Sequence, residues 1–233
     1  MKILGIIPSR YASTRFPGKP LALINGKTMI QHVYENAIKS TELDELIVAT
    51  DDKRIFNVVS DFGGKVLMTS TEHQNGTERC AEVAKSSENE FDFIINIQGD
   101  EPFLDPYQID EFVNFIRENA DIKIATQIKK ISDQKLIRNK NVVKAIPADE
   151  HQIKSFFRDL APECKAPYYK HIGIYAYSLE TLVQIVRLNP TKNEKDLSLE
   201  QYRWMDHGLK IHYQITQFDS HGIDHPKDLE NLC

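Results

Sequence analysis

Residues 1–20 read Met1-Lys2-Ile3-Leu4-Gly5-Ile6-Ile7-Pro8-Ser9-Arg10-Tyr11-Ala12-Ser13-Thr14-Arg15-Phe16-Pro17-Gly18-Lys19-Pro20. The apolar run Ile3 to Ile7 stops at Pro8 and Ser9, the pattern of a short strand covered on both faces. Broken by Pro8, Ser9 and Arg10, it is too short for a signal segment or a membrane span. A loop follows with three cations (Arg10, Arg15, Lys19), two small hydroxyls (Ser13, Thr14) and Gly18, spaced too irregularly for the charge row of a solvent-facing helix.

Working outward, similar apolar runs recur at Leu46 to Ala49, Lys65 to Met68 and Phe93 to Ile97. Helical periods lie between them. Met29, Ile30, Val33, Tyr34 and Ala37 share a face behind Thr28; Ile55, Val58, Val59 and Phe62 do so behind Asp51-Asp52 and stop at Gly63-Gly64. A third helix is expected to open at Thr77, and a fourth, with Ile109, Phe112, Val113 and Ile116, after Asp105-Pro106, where proline suits the first turn. Strand and helix alternating in this way predict an α/β fold, an open, mostly parallel sheet with helices on both faces. Ligands of such sheets bind beyond the carboxyl ends of the strands, so loops 8–19, 50–54, 69–77 and 98–105 are expected to converge.

After about residue 120 the rhythm changes. Ile122 to Ile128, Val142 to Ile146, Ile153 to Phe157 and His171 to Tyr177 read as antiparallel strands, with helices near 179–188 and 197–206. The expectation is a smaller antiparallel lid or dimerisation part, residues 120–220, within one domain spanning 1–233. No repeat or linker composition interrupts the chain.

The 233 residues, 41% hydrophobic and 27% charged, can bury a core without disulfides or metals. Lys plus Arg number 29 against 34 for Asp plus Glu, a net charge of −5 that argues against a nucleic-acid partner and requires any phosphate site to be local. Cys80, Cys164 and Cys233 are odd in number and form no Cys-x-x-Cys pair, which fits a reducing, cytoplasmic setting without a disulfide framework or a thiolate zinc site. Neither Gly-x-x-x-x-Gly-Lys-Ser/Thr nor Gly-x-Gly-x-x-Gly occurs, so the main signatures of a P-loop NTPase and of a dinucleotide-binding domain are missing.

Two features carry chemistry. The cationic loop leaves a buried strand at the ligand edge, where its charges and backbone N–H groups can hold a triphosphate; the alternative is a solvated basic loop. Asp100 follows the apolar run at 93–97, where a carboxylate can hold a hard cation against phosphate oxygens, or cap a turn.

Four blocks bring these features together: Ile7-Pro8-x-Arg10-Tyr11-Ala12-Ser13-Thr14-Arg15-x-Pro17-Gly18-Lys19-Pro20-Leu21, Val48-Ala49-Thr50-Asp51, His73-x-x-Gly76-Thr77-Glu78-Arg79 and Asn96-x-Gln98-Gly99-Asp100-Glu101-Pro102. They resemble those of the 3-deoxy-manno-octulosonate (Kdo) cytidylyltransferases, the CMP-Kdo synthetases. Weaker blocks continue at Asn141-Val142-Val143-Lys144, His171-Ile172-Gly173-Ile174-Tyr175-x-Tyr177, Leu199-Glu200-Gln201-x-Arg203 and Gly222-Ile223-Asp224-x-Pro226-x-Asp228-Leu229-Glu230, so the resemblance spans nearly the whole chain.

The resemblance implies a nucleotide-diphospho-sugar transferase-like fold, a homodimer, and Mg²⁺-dependent transfer of CMP from CTP to the anomeric hydroxyl of Kdo, a 2-keto-3-deoxy sugar acid, for lipopolysaccharide biosynthesis. It makes Arg10, Lys19, Asp100 and Asp224 catalytic, with Asp100 and Asp224 holding Mg²⁺. Ala12, Ser13, Thr14, Arg15, Thr50, Gly76, Thr77 and Arg79 would bind the nucleotide, Thr77 serving also as a helix cap. The base would be read around Ala12, Thr50-Asp51 and Gln74 to Thr77. Gln98, Arg158, His171, Tyr175, Glu200 and Gln201 would line the acceptor pocket, with the Arg158 fork facing the acceptor carboxylate. His171 and Tyr175, at period two, equally fit the core face of a strand. His221 and His225 flank Asp224 as surface or supporting histidines rather than zinc ligands, and Cys80 is read as a buried structural thiol.

Three departures concern the acceptor: the short stretch Asp159 to Lys170 after Arg158, Leu197 before Leu199-Glu200-Gln201, and His225 after Asp224. They leave 8-amino-Kdo open as an alternative acceptor. A non-catalytic nucleotide-binding module is a second alternative, opposed by the intact Arg10, Lys19, Asp100 and Asp224. Tyr202-Arg203-Trp204-Met205 fits either an interface or a helix packed within the chain.

Overall fold

In the computed structural model, which describes residues 1–12, 15–87, 90–148, 151–159, 166–219 and 222–230, the opening apolar run forms β1 (Ile3–Ser9). Ile3, Leu4, Ile6 and Ile7 are all fully buried. Successive side chains of a strand point to opposite faces, so burial at every position requires a layer on each side.

The chain continues through β2 (Leu23–Ile24), β3 (Lys27–Thr28), α1 (Met29–Ala37), β4 (Glu45–Thr50), α2 (Lys53–Asp61), β5 (Val66–Met68), α3 (Gly76–Ser86), β6 (Phe93–Asn96) and α4 (Pro106–Glu118). Then come β7 (Ile124–Ile131), α5 (Gln134–Arg138), β8 (Lys144–Pro147), β9 (Ile153–Phe157), β10 (Tyr168–Ser178), α6 (Leu179–Ile185), α7 (Lys192–Leu197), α8 (Gln201–Asp206), β11 (His212–Ile215) and α9 (Pro226–Glu230). Ile3 and Ile7 pack with Ile30 of α1, Val59 of α2 and Phe112 of α4. Leu4 and Ile6 face the other way, toward Cys80 and Val83 of α3, Leu182 of α6 and Trp204 of α8.

Among the described residues the main sheet runs β11-β7-β10-β6-β1-β4-β5. β6, β1, β4 and β5 are parallel, as are β11 and β7, while β10 is antiparallel to both its neighbours. The mostly parallel sheet with helices on both faces is therefore present.

The smaller antiparallel part expected after residue 120 is present and is built onto the same sheet. β7, β10 and β11 extend the main sheet, and only β8 and β9 stand off it, β8 pairing with β10 through Tyr169↔Ala145 and Lys170↔Lys144. The reason is burial: Ile124, Ala125, Ala176 and Tyr177 are covered on both faces, which an exposed arm cannot supply. The helix expected over 197–206 is also divided, because Ser198 adopts a left-handed φ of 51° and ends α7 before α8 begins.

Loop convergence follows from two close approaches. A Cβ on Gly99 would lie 3.0 Å from the Pro8 carbonyl oxygen, and one on Gly76 would lie 3.0 Å from the Pro8 ring. The loop after β6 and the turn opening α3 therefore both press on the carboxyl end of β1. Phe112 is the largest side chain of α4 buried completely in the layer beneath this edge. Phe112→Ala is expected to cost about 3–5 kcal/mol, read as a lower urea midpoint with an unchanged slope.

Candidate active site

Gly18, at φ 71°, donates its N–H to the Tyr11 carbonyl at 2.9 Å and closes the loop that delivers Lys19. The Lys19 Nζ donates to Asp100 Oδ2 at 2.6 Å and to the Ile223 carbonyl at 2.8 Å, and lies 3.6 Å from Asp224 Oδ1. Arg15 donates to the same Asp224 oxygen at 2.9 Å. The Ile223 N–H donates to the Asp100 carbonyl at 2.9 Å, so the segment at 222–224 is laid against the loop after β6.

Asp100 and Asp224 thus converge on one positive charge, within reach of a single cation, and their hard oxygen donors suit a small divalent ion. Among the described residues no group of three or more His, Cys, Asp or Glu forms a fuller metal site. His225 is exposed, while His221, like Ser13, Thr14, Cys164 and Cys233, lies outside the described residues.

Two cavities meet at this pair. The first, about 330 Å³, is bounded by Pro8, Arg10, Arg15, Lys19, His73 to Gly76 and Arg79. The second, about 360 Å³, lies along β10, bounded by Val143, His171, Gly173, Tyr175, Leu199 and Gln201. Gln98, Asp100 and Asp224 line both. Gln98 is held by donating to the Gly173 carbonyl at 2.9 Å.

Of the expected nucleotide residues, Arg15, Gly76 and Arg79 line the first cavity, together with Arg10 and Lys19 of the expected catalytic set, whereas Ala12, Thr50 and Thr77 do not. Thr50 is completely buried, and its hydroxyl accepts the Asp52 N–H at 3.2 Å. Arg79 is only 2% exposed, paired with Asp51 at 2.7 Å and bonded to Thr69. That pairing anchors α3 to the loop after β4 and leaves little of the guanidinium for a ligand.

Thr77 is corrected as the helix cap. Asn75 caps α3, its side chain accepting the Glu78 N–H at 2.8 Å, while the Thr77 hydroxyl donates to Glu200 at 3.1 Å. Asn75-x-x-Glu78 is the sequence signal that could have placed the cap. Asn75, within the stretch expected to read the base, lines the first cavity, and so does His73, which had no role assigned there.

Of the expected acceptor residues, Gln98, His171, Tyr175 and Gln201 line the second cavity. Glu200 does not, and Arg158 lies apart from both cavities, its guanidinium against the carbonyls of Lys140 (3.5 Å) and Ser198 (3.4 Å). Trp204 is a core residue, 1% exposed and edge-on to Tyr175 and Tyr177, which decides for packing within the chain.

Burial holds the His171 imidazole down at about 3, with Lys170 adding to the effect, so the ring facing the second cavity is neutral at neutral pH. Burial, reinforced by the Glu200 charge, pushes the Tyr175 hydroxyl well above its usual range and the Cys80 thiol likewise, which makes Cys80 an inert buried group. Burial also raises Glu200 to about 7, although the Thr77 hydroxyl and the Arg203 charge oppose the shift.

Comparison with known proteins places these features in context. The family model described as Cytidylyltransferase matches residues 4–211. The 3-deoxy-manno-octulosonate cytidylyltransferase of Cytophaga hutchinsonii is 45% identical, covering 98% of this chain and 95% of that protein. The protein of the same name from Parabacteroides distasonis is 44% identical, covering 99% and 96%. A solved structure of CMP:2-keto-3-deoxy-manno-octonic acid synthetase complexed with CTP superposes with a TM-score of 0.92 at 38% identity, covering 100% of this chain and 97% of that one.

The Glu200 carboxyl generates a stability test. Folding raises it from 4.5 to about 7, so between those values the folded chain keeps a proton that the unfolded chain releases, and stability falls as pH rises through that window. Glu200→Gln removes the penalty. Its melting temperature relative to the unsubstituted protein is expected to climb between about pH 5 and about pH 8; a difference flat across that range would contradict the burial of a charged carboxylate there.

Proposed function

The chain belongs to the 3-deoxy-manno-octulosonate cytidylyltransferase family, and from that membership and the paired cavities we infer that it transfers CMP from CTP to the anomeric hydroxyl of 3-deoxy-manno-octulosonate, releasing pyrophosphate. The product serves lipopolysaccharide biosynthesis. The observation that carries the reading is the shared wall: Gln98, Asp100 and Asp224 border both the cationic cavity and the cavity along β10. Two reactants filling the two spaces would meet at those residues.

In the step itself the acceptor's anomeric oxygen bonds to the α-phosphorus, the bond from that phosphorus to the pyrophosphate oxygen breaks, and the hydroxyl proton leaves. Arg10, Arg15 and Lys19 border the first cavity and suit the charge that builds on the leaving pyrophosphate. The amino end of α3, at Gly76, lines the same space and turns the positive end of its dipole toward it. On the acceptor side, neutral His171, Tyr175 and Gln201 offer polar groups suited to a sugar acid.

Mg²⁺ is proposed as the cofactor, held by Asp100 and Asp224; bound there it supplies charge neutralisation and Lewis-acid polarisation of the phosphate. The fit rests on both carboxylates facing one ammonium, that of Lys19. One of the carboxylates is also the group proposed to draw the hydroxyl proton. The protein is further proposed to work as a cytoplasmic homodimer, an association that light scattering reads directly; no helix among the described residues is long and apolar enough to cross a membrane.

Purified protein with CTP, Mg²⁺ and Kdo is expected to release pyrophosphate, whereas ATP, GTP, UTP or an 8-amino-Kdo acceptor should give little. Asp100→Ala is expected to stay folded, with a cooperative melt at a lower temperature because Lys19 loses a partner, and to lose about a hundredfold or more in turnover. Full activity in that variant would falsify the assignment.

A further inference from the structure

We propose that Glu200 is a positioning residue that supports the nucleotide-facing turn by holding Thr77, rather than a group that touches the acceptor. The proposal rests on the transfer reading above and adds to it a fixed support for the nucleotide-facing turn, reached from the segment that forms the acceptor wall.

Three placements support it. First, the left-handed Ser198 ends α7 and turns the chain so that Leu199 and Gln201 both line the acceptor cavity while Glu200, between them, does not. The Glu200 side chain points back through the molecule, where its Oε2 accepts the Thr77 hydroxyl at 3.1 Å. Second, Thr77 is 3% exposed and directly follows Gly76, which lines the nucleotide cavity at the amino end of α3. One hydrogen bond therefore spans from the acceptor wall to the turn that faces the triphosphate. No other element intervenes.

Third, the carboxylate is kept in surroundings that do not otherwise require it. Among the described residues it forms no salt bridge, and the neighbouring Arg203 is already taken by Glu194 through bonds of 2.8 and 2.5 Å. The other groups close enough to act on it electrostatically are Glu78, Glu194, Tyr175, Tyr177 and Cys80. The Tyr175 hydroxyl and the Trp204 indole N–H are buried without a partner among the described residues. A half-buried carboxylate that gains a single hydroxyl bond and no ion pair is harder to accommodate than an apolar side chain of the same size. Its position is explained if that one bond is what it is for.

Glu200 does not reach the acceptor cavity, and its one bond fixes Thr77 in the first turn of α3. Its effect should therefore fall on the nucleotide, not on the acceptor.

Steady-state kinetics of Glu200→Met, Glu200→Gln, Thr77→Val and the Glu200→Met/Thr77→Val double variant test this. Glu200→Met is similar in length and offers no strong acceptor, while Glu200→Gln still presents an oxygen to Thr77. Glu200→Met is expected to raise the KM for CTP about tenfold with the KM for Kdo unchanged within about twofold, and Glu200→Gln to recover most of the loss. The double variant should be no worse than Thr77→Val alone, because both changes break the same bond. A raised KM for Kdo with normal CTP behaviour in Glu200→Met, or losses that multiply in the double variant, would overturn the proposal. CTP titration calorimetry reads the same contrast without turnover if a variant is too slow to assay. Unsubstituted protein inactive with CTP and Kdo would instead overturn the transfer reading itself.

Discussion

A single ammonium holds the two ends of the site together. Lys19 Nζ reaches Asp100, the Ile223 carbonyl and Asp224 from a position where its side chain is only 14% exposed. Partial burial strengthens such a charge contact well beyond that of a surface ion pair, and makes each unpaired partner costly. Everything that delivers Lys19 is therefore constrained: the left-handed Gly18 turn, the close approach of Gly99 to Pro8, and the pairing of the Ile223 N–H with the Asp100 carbonyl. The same cations that hold the carboxylates are those suited to phosphate. A site assembled this way is balanced between its own internal pairing and a negatively charged ligand.

The second half of the cleft depends on one reversed strand. β10 enters the sheet antiparallel beside β6, with Tyr175 opposite Asn96, and its pairing with β7 slips between Ile172 and Tyr175. Such irregularities re-aim side chains near functional sites. Here the slip falls at Gly173, where a Cβ would lie 3.2 Å from Gln98 Cγ and where the carbonyl accepts the Gln98 amide. Gln98 is thereby fixed on the wall between the cavities, and His171 and Tyr175 are brought to the far side of Asp100.

Much of this was legible in the chain because it is local. Strand runs such as Ile3 to Ile7, the helical face Met29 to Ala37 behind Thr28, and Asp105-Pro106 at a helix start fix their elements through short-range chemistry. The cationic loop and Asp100 could be placed at one sheet edge from topology alone. What could not be read from the chain is long-range. That β7 and β10 would join the main sheet depends on burial of Ala125 and Tyr177 by helices distant in sequence, and that Arg79 would be taken by Asp51 depends on two loops meeting. Arg158 was assigned by its chemistry, but the end of β9 carries it toward the Lys140 and Ser198 carbonyls instead. One local signal went unread: Asn25-Gly26, with φ values of 49° and 83°, is the two-residue turn that joins β2 to β3.

The claim on which the rest depends is that Lys19 draws the Asp224 segment onto the sheet edge. Amide hydrogen exchange measures it directly at Ile223, whose N–H is bonded to the Asp100 carbonyl. In Lys19→Met the exchange at residues 222–224 should accelerate by about tenfold or more while the core of β1 and β6 keeps its protection. Unchanged protection at Ile223 would contradict the account, since the segment would then be held in place by something other than the ammonium that is said to hold it.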